Sequence, residues 1–152
     1  GSSYLPGEIS AAFLLAQFDQ ARQITDKRLM LWGQYHDALQ ELEDSGHIIR
    51  PTVPEGCEHN AHMYYLLVKN LDVRSALINY LRERGIMAVF HYVPLHTSEA
   101  GRHYARVEGN LSVTENIADR LVRLPLYCDL SQEQMSRILA AVKSFFCEKA
   151  RK

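Results

Sequence analysis

The sequence has few cysteines, almost no net charge and no long apolar run, and each shortage excludes a class of protein. Its three cysteines, Cys57, Cys128 and Cys147, are odd in number and far apart. That pattern excludes a disulfide framework and favours reduced thiols. The formal charge is −1, with Lys and Arg scattered among Asp and Glu, so no nucleic-acid or membrane partner is indicated. No apolar run approaches the roughly 20 residues that span a bilayer. These shortages predict a cytoplasmic protein.

The sequence also lacks most motifs that indicate a particular chemistry. The chain has no G-x-G-x-x-G, no P-loop and no paired-carboxylate arrangement. The stretch Cys57-Glu58-His59-Asn60-Ala61-His62 carries zinc-type ligands, but no second cluster at finger-like spacing completes a tetrahedral set. Ordinary loop polarity explains it better, and no metal site is predicted.

What the chain does contain is the composition of one globular domain, opening with a long helical pattern. Apolar residues make up 47% and charged residues 23% of the 152 residues. The apolar spacing predicts a helix from about residue 6 or 8 to about residue 44. Such a helix is about 55 Å long, whereas a domain of this size is roughly 40 Å across. The helix therefore either kinks, with Gly33 as the candidate position, or overhangs its own domain.

The first turns of this helix are unusual in their apolar character. Residues 9–16 are apolar on nearly every side, so they require burial all round. A chain of this length has little left to wrap around a protruding end. The sequence therefore predicts a missing partner, which is another domain, another subunit, or both.

The remainder of the chain alternates short strands with helices. The pattern predicts a strand over 62–69, a helix over 73–84 capped by Asp72 and ended by Gly85, and a strand over 88–92. It then predicts helices over 98–104 and over 115–122, the second capped by Thr114, and a last helix opened by the capping box at Ser131.

These elements predict a two-layer α+β domain. It has a long N-terminal helix, a small sheet of three or four short strands, and helices packed on one face of that sheet. We divide it into residues 1–45, the long interdomain or interface helix, and residues 46–152, the α+β unit, which together form one structural unit.

The best candidate for binding or chemistry is His91-Tyr92-Val93-Pro94-Leu95-His96. Neutral imidazoles and a phenol suit hydrogen bonding to phosphate or sugar hydroxyls near neutral pH. The proline after the predicted strand restricts the direction in which the chain leaves that strand, so both histidines can lie at the opening of the same site. The alternative, that they are ordinary strand-end residues, stays open on the residues alone. Gly1-Ser2-Ser3-Tyr4 is a weaker candidate, an anion site before a helix, and an ordinary cap is favoured there.

Three separated blocks, in order, resemble the C-terminal third of the sugar-nucleotide aminotransferases. These are pyridoxal-phosphate (PLP) enzymes of the aspartate-aminotransferase fold. The first block runs from Gly1 to Ala12, a glycine-tyrosine segment that leads into a long helix with an acidic residue and paired alanines. The second is His91-Tyr92-Val93-Pro94-Leu95-His96. The third is Leu121-Val122-Arg123-Leu124-Pro125-Leu126, followed by Leu130-Ser131.

The resemblance implies an activity and two groups of site residues. The implied reaction transfers an amino group from glutamate to the C4 ketone of a dTDP-4-keto-6-deoxyhexose in a homodimeric enzyme. Ser2 and Ser3 inherit contacts to the PLP phosphate of the other subunit. The resemblance implies that His91, Tyr92 and His96 lie on the substrate side of the site. There they would contact the nucleotide sugar, and they would not transfer protons. Many members carry Asn in place of Ser3 and Arg in place of Leu5, which weakens the phosphate assignment.

The resemblance also implies that the catalytic centre lies elsewhere. The family's Schiff-base lysine and the aspartate that pairs with the pyridine nitrogen belong to the N-terminal large domain, and a PLP enzyme needs both. No lysine of this chain is a credible substitute, so no catalytic residue is assigned. The isolated chain is expected to be inactive and to bind no PLP. The competing hypothesis is a freestanding α+β regulatory or ligand-binding module without cofactor.

Overall fold

The computed structural model describes residues 4–149 and shows an α+β domain, as predicted. Within these residues seven α-helices accompany a two-stranded antiparallel sheet and one 3-10 turn over Leu95–Thr97. In chain order the elements are α1 (Glu8–Phe18), α2 (Ala21–Ala38), α3 (Gln40–Asp44), β1 (Tyr64–Leu67), α4 (Leu71–Glu83), α5 (Glu99–Tyr104), α6 (Ser112–Arg120), β2 (Leu121–Leu124) and α7 (Gln132–Lys149).

The predicted long helix is divided into three helices, and the expected kink at Gly33 is wrong. The first break lies at Asp19 and Gln20, and the second lies at Leu39. Gly33 lies inside α2. A glycine lowers helix propensity but does not force a break, and the buried side chains of Leu31 and Tyr35 hold this part of α2 on the core.

A single core joins α2 and α3 to the sheet, α4 and α7. Burial of large apolar side chains is the main favourable term in folding, and this core contains residues from both ends of the chain. Its fully buried members are Leu31, Tyr35, Leu39, Tyr64, Leu66, Val68, Leu77, Leu81, Val122, Met135 and Val142.

The sheet places alternate side chains on its two faces. The pairs Tyr64↔Leu124 and Leu66↔Val122 are buried, whereas Tyr65↔Arg123 and Leu67↔Leu121 lie on the half-buried face. This is the period-two alternation of a strand with one face on the core. Arg123 therefore lies on the less buried face of the sheet.

The predicted strand over 88–92 is present only as a single bridge. Val89 exchanges both backbone hydrogen bonds with Arg123, at 2.7 and 3.2 Å. In this antiparallel register the residues after Val89 would run alongside Leu121, and those before it alongside Pro125, which has no N–H to donate. The segment leaves β2 after Val89, and residues 90–92 form no backbone hydrogen bond with that strand. On the other side, Ile49 forms a single bridge to Leu67. The four extended segments thus lie side by side in the order 49, β1, β2, 89.

Capping residues set the helix ends, and two of the predicted caps are displaced. The side chain of Asn70, not Asp72, caps α4 by accepting from the N–H of Val73 at 3.0 Å. Asn70 precedes the first helical turn in extended conformation, the geometry that a cap requires. The helix α6 begins at Ser112, two residues before the predicted cap Thr114.

Two other predicted helix ends agree with the structure. Gly85 has φ +69°, and the N–H groups of Gly85 and Ile86 bond back to Arg82 and Leu81, which is the Schellman arrangement. At the start of α7, Ser131 and Gln134 exchange a capping box, with bonds of 3.2 and 2.9 Å.

The helix α1 buries almost none of its surface against the described part of the chain. It has no buried residue, and Ile9 is 89% exposed; Phe13, Leu14, Leu15 and Phe18 are exposed as well. In the part of the chain that the structure describes, no helix is both long and apolar enough to cross a membrane.

Candidate functional site

The segment from Phe90 to His96 leaves the sheet at the single bridge of Val89. Before the bridge, Ile86 and Ala88 are buried and anchor the chain to the core. After it, Tyr92, Val93 and Leu95 are exposed. The segment is thus held at its start by the core, and its residues beyond the bridge alternate between exposed and half-buried.

His91 is oriented by Arg123 of the neighbouring strand. Its Nδ1 lies 3.1 Å from Nη1 of Arg123, and its ring lies 3.9 Å from the ring of Tyr92. Burial lowers the pKa of His91 from its ordinary value, and the charges of Arg123 and His62 lower it further. His91 is therefore held in its neutral form near pH 7.

Tyr92 projects from the segment into solvent. It is 63% exposed and forms no hydrogen bond with any residue between 4 and 149. Its phenol is therefore available to a ligand or to a neighbouring chain.

His96 lies on the 3-10 turn and pairs with a carboxylate of α6. Its Nε2 is 2.9 Å from Oε1 of Glu115, and its side chain is only 15% exposed. His96 and Gly101 line a cavity of about 480 Å³ between this turn and α5. The two histidines thus have different partners, one cationic and one anionic, on two different elements.

The turn that carries His96 depends on a close approach to Gly101. A Cβ at Gly101 would lie 1.7 Å from the carbonyl oxygen of Leu95. The hydroxyl of Ser98 donates to that same oxygen at 2.7 Å and accepts from the N–H of Gly101 at 3.0 Å. Any side chain at position 101 would displace the turn.

The other predicted site residues lie apart from this segment or outside the described part of the chain. Ser2 and Ser3 lie outside residues 4–149. In the Cys57–His62 loop, Cys57 is exposed and His59 packs edge-on against Trp32 at 4.6 Å. Among the described residues no group of three or more His, Cys, Asp or Glu is placed to hold a metal ion.

Sequence reasoning missed the charged partners of the segment. Arg123 and Glu115 orient the two histidines, and the guanidinium of Arg74 lies over the ring of Phe90 at 5.0 Å. Strand alternation places Arg123 on the half-buried face of β2, which was a usable signal. Nothing in the spacing connects it to His91, 32 residues away.

Comparison with known proteins decides the family. The sequence profile of the DegT/DnrJ/EryC1/StrS aminotransferase family matches residues 1–143. The chain belongs to this family. It is 28% identical over 138 residues to a dTDP-3-amino-3,4,6-trideoxy-α-D-glucose transaminase of Micromonospora megalomicea, covering 90% of this chain and 36% of that protein. It is also 28% identical to a UDP-N-acetyl-3-dehydro-α-D-glucosamine 3-aminotransferase of Acidithiobacillus ferrooxidans, over 90% of this chain and 35% of that protein.

Solved structures of aminotransferases share the fold. The aminotransferase TlmJ of Streptoalloteichus hindustanus superposes with a TM-score of 0.85 at 22% identity, over 99% of this chain and 39% of that one. DesV of S. venezuelae, solved with a ketimine intermediate, superposes with a TM-score of 0.80 at 26% identity, over 95% of this chain and 39% of that one. This member of the DegT/DnrJ/EryC1/StrS family therefore spans little more than a third of the length of these relatives.

Proposed function

We propose that this chain is the small C-terminal domain of a PLP-dependent sugar-nucleotide aminotransferase. The proposed reaction transfers an amino group from glutamate to the C4 ketone of a dTDP-4-keto-6-deoxyhexose, and the proposed product is dTDP-4-amino-4,6-dideoxygalactose, a precursor of enterobacterial surface polysaccharide. The observation that carries the proposal is the exposed segment from His91 to His96, in which charged partners orient both imidazoles. The family match over residues 1–143 supports it.

In this proposal the chain supplies one wall of the substrate site. His91, Tyr92 and His96 contact the sugar nucleotide through hydrogen bonds, which neutral imidazoles and a phenol form with phosphate and hydroxyl oxygens. They bind and orient the substrate without transferring a proton. PLP, when bound, supplies the electron sink for the amino transfer.

The described part of the chain does not fit the catalytic role of a PLP site. PLP needs a lysine at its aldehyde, yet among the described residues no lysine hydrogen-bonds or pairs with the segment from His91 to His96. Lys27 and Lys69 are exposed, and Lys143 pairs with Glu41 at 3.9 Å. We therefore derive no chemical step from this chain, and place the Schiff-base lysine in an N-terminal large domain.

Partners of the domain are inferred from α1. Its apolar side chains are exposed on nearly every side, an arrangement that is unfavourable unless another surface covers it. In the proposal the large domain and the second subunit of a homodimer cover it. A freestanding regulatory module would need polar residues there, so the exposure of Ile9 and Phe13 counts against that alternative.

Two assays test this function. The 152-residue chain mixed with PLP and glutamate is expected to give neither a borohydride-trappable lysine adduct nor turnover, whereas the full-length enzyme is expected to give both. A stable adduct on one lysine of the short chain, with turnover of glutamate, would refute the assignment of the chain as a domain without the catalytic lysine.

The second assay tests the substrate. The full-length enzyme is given a dTDP-4-keto-6-deoxyhexose, a dTDP-3-keto sugar and a UDP-N-acetyl-3-dehydro sugar in parallel. Glutamate-dependent turnover is expected with the first. Turnover of only the 3-keto or UDP-linked substrates would contradict the proposed substrate specificity, whereas the assignment to the aminotransferase family would still stand.

A further inference from the structure

The contact between Arg123 and His91 determines which nitrogen of the imidazole carries the proton. The guanidinium of Arg123 has only N–H donors and no acceptor. Its Nη1 lies 3.1 Å from Nδ1 of His91, so Nδ1 accepts and carries the lone pair. In the neutral ring the proton then lies on the other nitrogen, Nε2.

That second nitrogen is open to a ligand. Nε2 of His91 forms no hydrogen bond with any described residue, and it is absent from the buried polar atoms that lack a partner. It therefore contacts solvent. A neutral N–H donor on a half-buried ring is free to bond an incoming oxygen.

The backbone holds the two side chains in this arrangement. Arg123 and Val89 exchange both of their backbone hydrogen bonds, and His91 follows Val89 by two residues. Arg123 also sits opposite Tyr65 in the register of β1 and β2. The backbone of Arg123 is thus held by the sheet on one side and by the bridge on the other, which brings its side chain beside His91.

The charge around His91 favours an anionic oxygen as its ligand. Arg123 and Arg74 are both half-buried, and neither forms an ion pair with any of residues 4–149. Arg74 lies over Phe90 and donates to the carbonyl oxygen of Ala118 at 2.6 Å. The uncompensated cation of Arg123 beside the N–H donor of His91 attracts negative charge, because water screens a charge less when it is partly buried, and Arg74 adds a second half-buried cation against the neighbouring Phe90.

His96 has the opposite arrangement. The ionised carboxylate of Glu115 only accepts hydrogen bonds, so Nε2 of His96 donates to it at 2.9 Å. When this ring is neutral, its lone pair lies on Nδ1. The segment therefore carries one histidine fixed as an outward donor and one whose proton points inward.

We infer that Arg123 is a positioning residue that fixes His91 in the Nε2–H tautomer, so that His91 presents a neutral donor to an anionic oxygen of the substrate. The inference rests on the proposed function for the identity of the ligand, which is either a phosphate oxygen of the sugar nucleotide or a carboxylate oxygen of glutamate. It does not rest on it for the tautomer. The groups that face His91 are Arg123 from β2, His62 from the segment before β1, and Tyr92 from its own segment.

The tautomer is tested by NMR on the 15N-labelled 152-residue chain. Imidazole 15N shifts followed with pH are expected to show His91 with its proton on Nε2 and a titration midpoint below that of an unhindered histidine. Arg123→Met should raise this midpoint and weaken the tautomer preference, Arg123→Lys should restore part of both, and the shifts of His96 should stay unchanged. Arg22→Met, which removes an exposed arginine of α2, is the matched control and should alter nothing.

Two results of this experiment overturn the inference. One is a proton on Nδ1 of His91 in the unmodified chain. The other is an unaltered His91 titration in a folded Arg123→Met variant, where retained amide shifts in β1 and α7 report the fold. A structural role alone would lower stability and leave the His91 midpoint in place.

The ligand is tested in the full-length enzyme with PLP. Arg123→Met should raise KM about 2- to 10-fold for whichever substrate His91 contacts, with a smaller change in kcat, because one oriented hydrogen bond contributes about 0.5–1.5 kcal/mol. A rise confined to the sugar nucleotide identifies phosphate, and a rise confined to glutamate identifies carboxylate. An altered His91 titration with both KM values unchanged would overturn the proposed substrate contact and leave the role of Arg123 standing.

Discussion

Arg50 is a buried charge whose position depends on three neighbouring groups. It is 9% exposed, and Glu43 accepts from its backbone N–H and from Nε, each at 2.7 Å. Its remaining guanidinium nitrogens donate to the carbonyl oxygen of His36 and to the side chain of Gln40. Because every donor group has a partner, the burial of this charge is compensated.

Removing the carboxylate should therefore be costly. Glu43→Gln is expected to lower the free energy of unfolding at neutral pH by about 2–3 kcal/mol, because it leaves a buried guanidinium without its counter-charge. Urea denaturation measures this. Glu41→Gln is the control: that carboxylate is 3.9 Å from Lys143 and 84% exposed, and its removal should cost less than about 0.5 kcal/mol. Equal losses in the two variants would contradict the argument.

The same pair predicts a pH dependence with a definite sign. The backbone hydrogen bond from Arg50, followed by its side-chain bond and charge, lowers the pKa of Glu43 from its ordinary value of 4.5. A carboxyl with a lowered folded-state pKa stabilises the fold fully above its unfolded pKa and loses that contribution as the pH falls through the folded one. The unmodified chain should lose stability below pH 4.5, and Glu43→Gln should lose less over the same range. Identical slopes would exclude this role for Glu43.

At the scale of the elements, Asn70 and Asp72 compete for the start of α4. The structure assigns the cap to Asn70, so Asn70→Ala should cost about 1 kcal/mol. Asp72 lies in the first turn without a cap bond, and Asp72→Ala should cost only about 0.3–0.5 kcal/mol through the helix dipole. Thermal or urea unfolding of both variants ranks them. A larger loss for Asp72→Ala would favour the cap predicted from the sequence.

Two glycines in helices should respond in opposite directions to the same substitution. Gly101→Ala would place a Cβ against the carbonyl oxygen of Leu95, so the turn that carries His96 must move, at a cost of about 1–3 kcal/mol. Gly33→Ala meets no atom within 4 Å and should stabilise α2 by up to about 1 kcal/mol. Urea denaturation gives the two free energies, and hydrogen exchange over residues 95–101 locates the first effect. A neutral Gly101→Ala variant would be inconsistent with the observed turn.

The elements also show where sequence patterns succeed. Gly85 and Ser131 end and begin helices as predicted, because a positive φ and a capping box depend on residues a few positions apart. The strand predicted over 88–92 is reduced to a single bridge, because after Val89 the segment turns away from β2 and forms no further backbone hydrogen bond with it. Local chemistry was predictable, whereas the length of a strand depended on a partner more than thirty residues away.

At the scale of the whole molecule, the helix α1 presents apolar side chains that no described residue buries. Concentration-dependent self-association is expected by sedimentation, because an exposed apolar patch of this kind favours contact with a second surface. Ile9→Glu combined with Phe13→Glu should shift the chain towards monomer. Val113→Glu is the matched control, because Val113 on α6 is exposed to a similar degree as Ile9 and Phe13. This substitution should leave association unchanged. A monomer with residues 9–16 protected from exchange would contradict this expectation.

The division into residues 1–45 and 46–152 stays a prediction at this scale. The core already qualifies it, because Leu31, Tyr35 and Leu42 are buried together with side chains of β1 and α7. Of the three helices described within residues 1–45, α1 alone contributes no residue to that core. Any boundary between an interface helix and the α+β unit therefore has to allow for α2 and α3 packing in the core.

The sequence by itself determined the fold class, the helix ends at Gly85 and Ser131, the apolar surface of α1 and the cluster of polar residues from His91 to His96. These follow from periodicity, caps and residue chemistry, which act over a few neighbouring positions. Only the tertiary structure decided the partners of that segment. Arg123 meets His91 through strand register, and Glu115 meets His96 through the packing of α6 against the turn. Such contacts arise from the simultaneous packing of distant elements, so no local pattern in the sequence contains them.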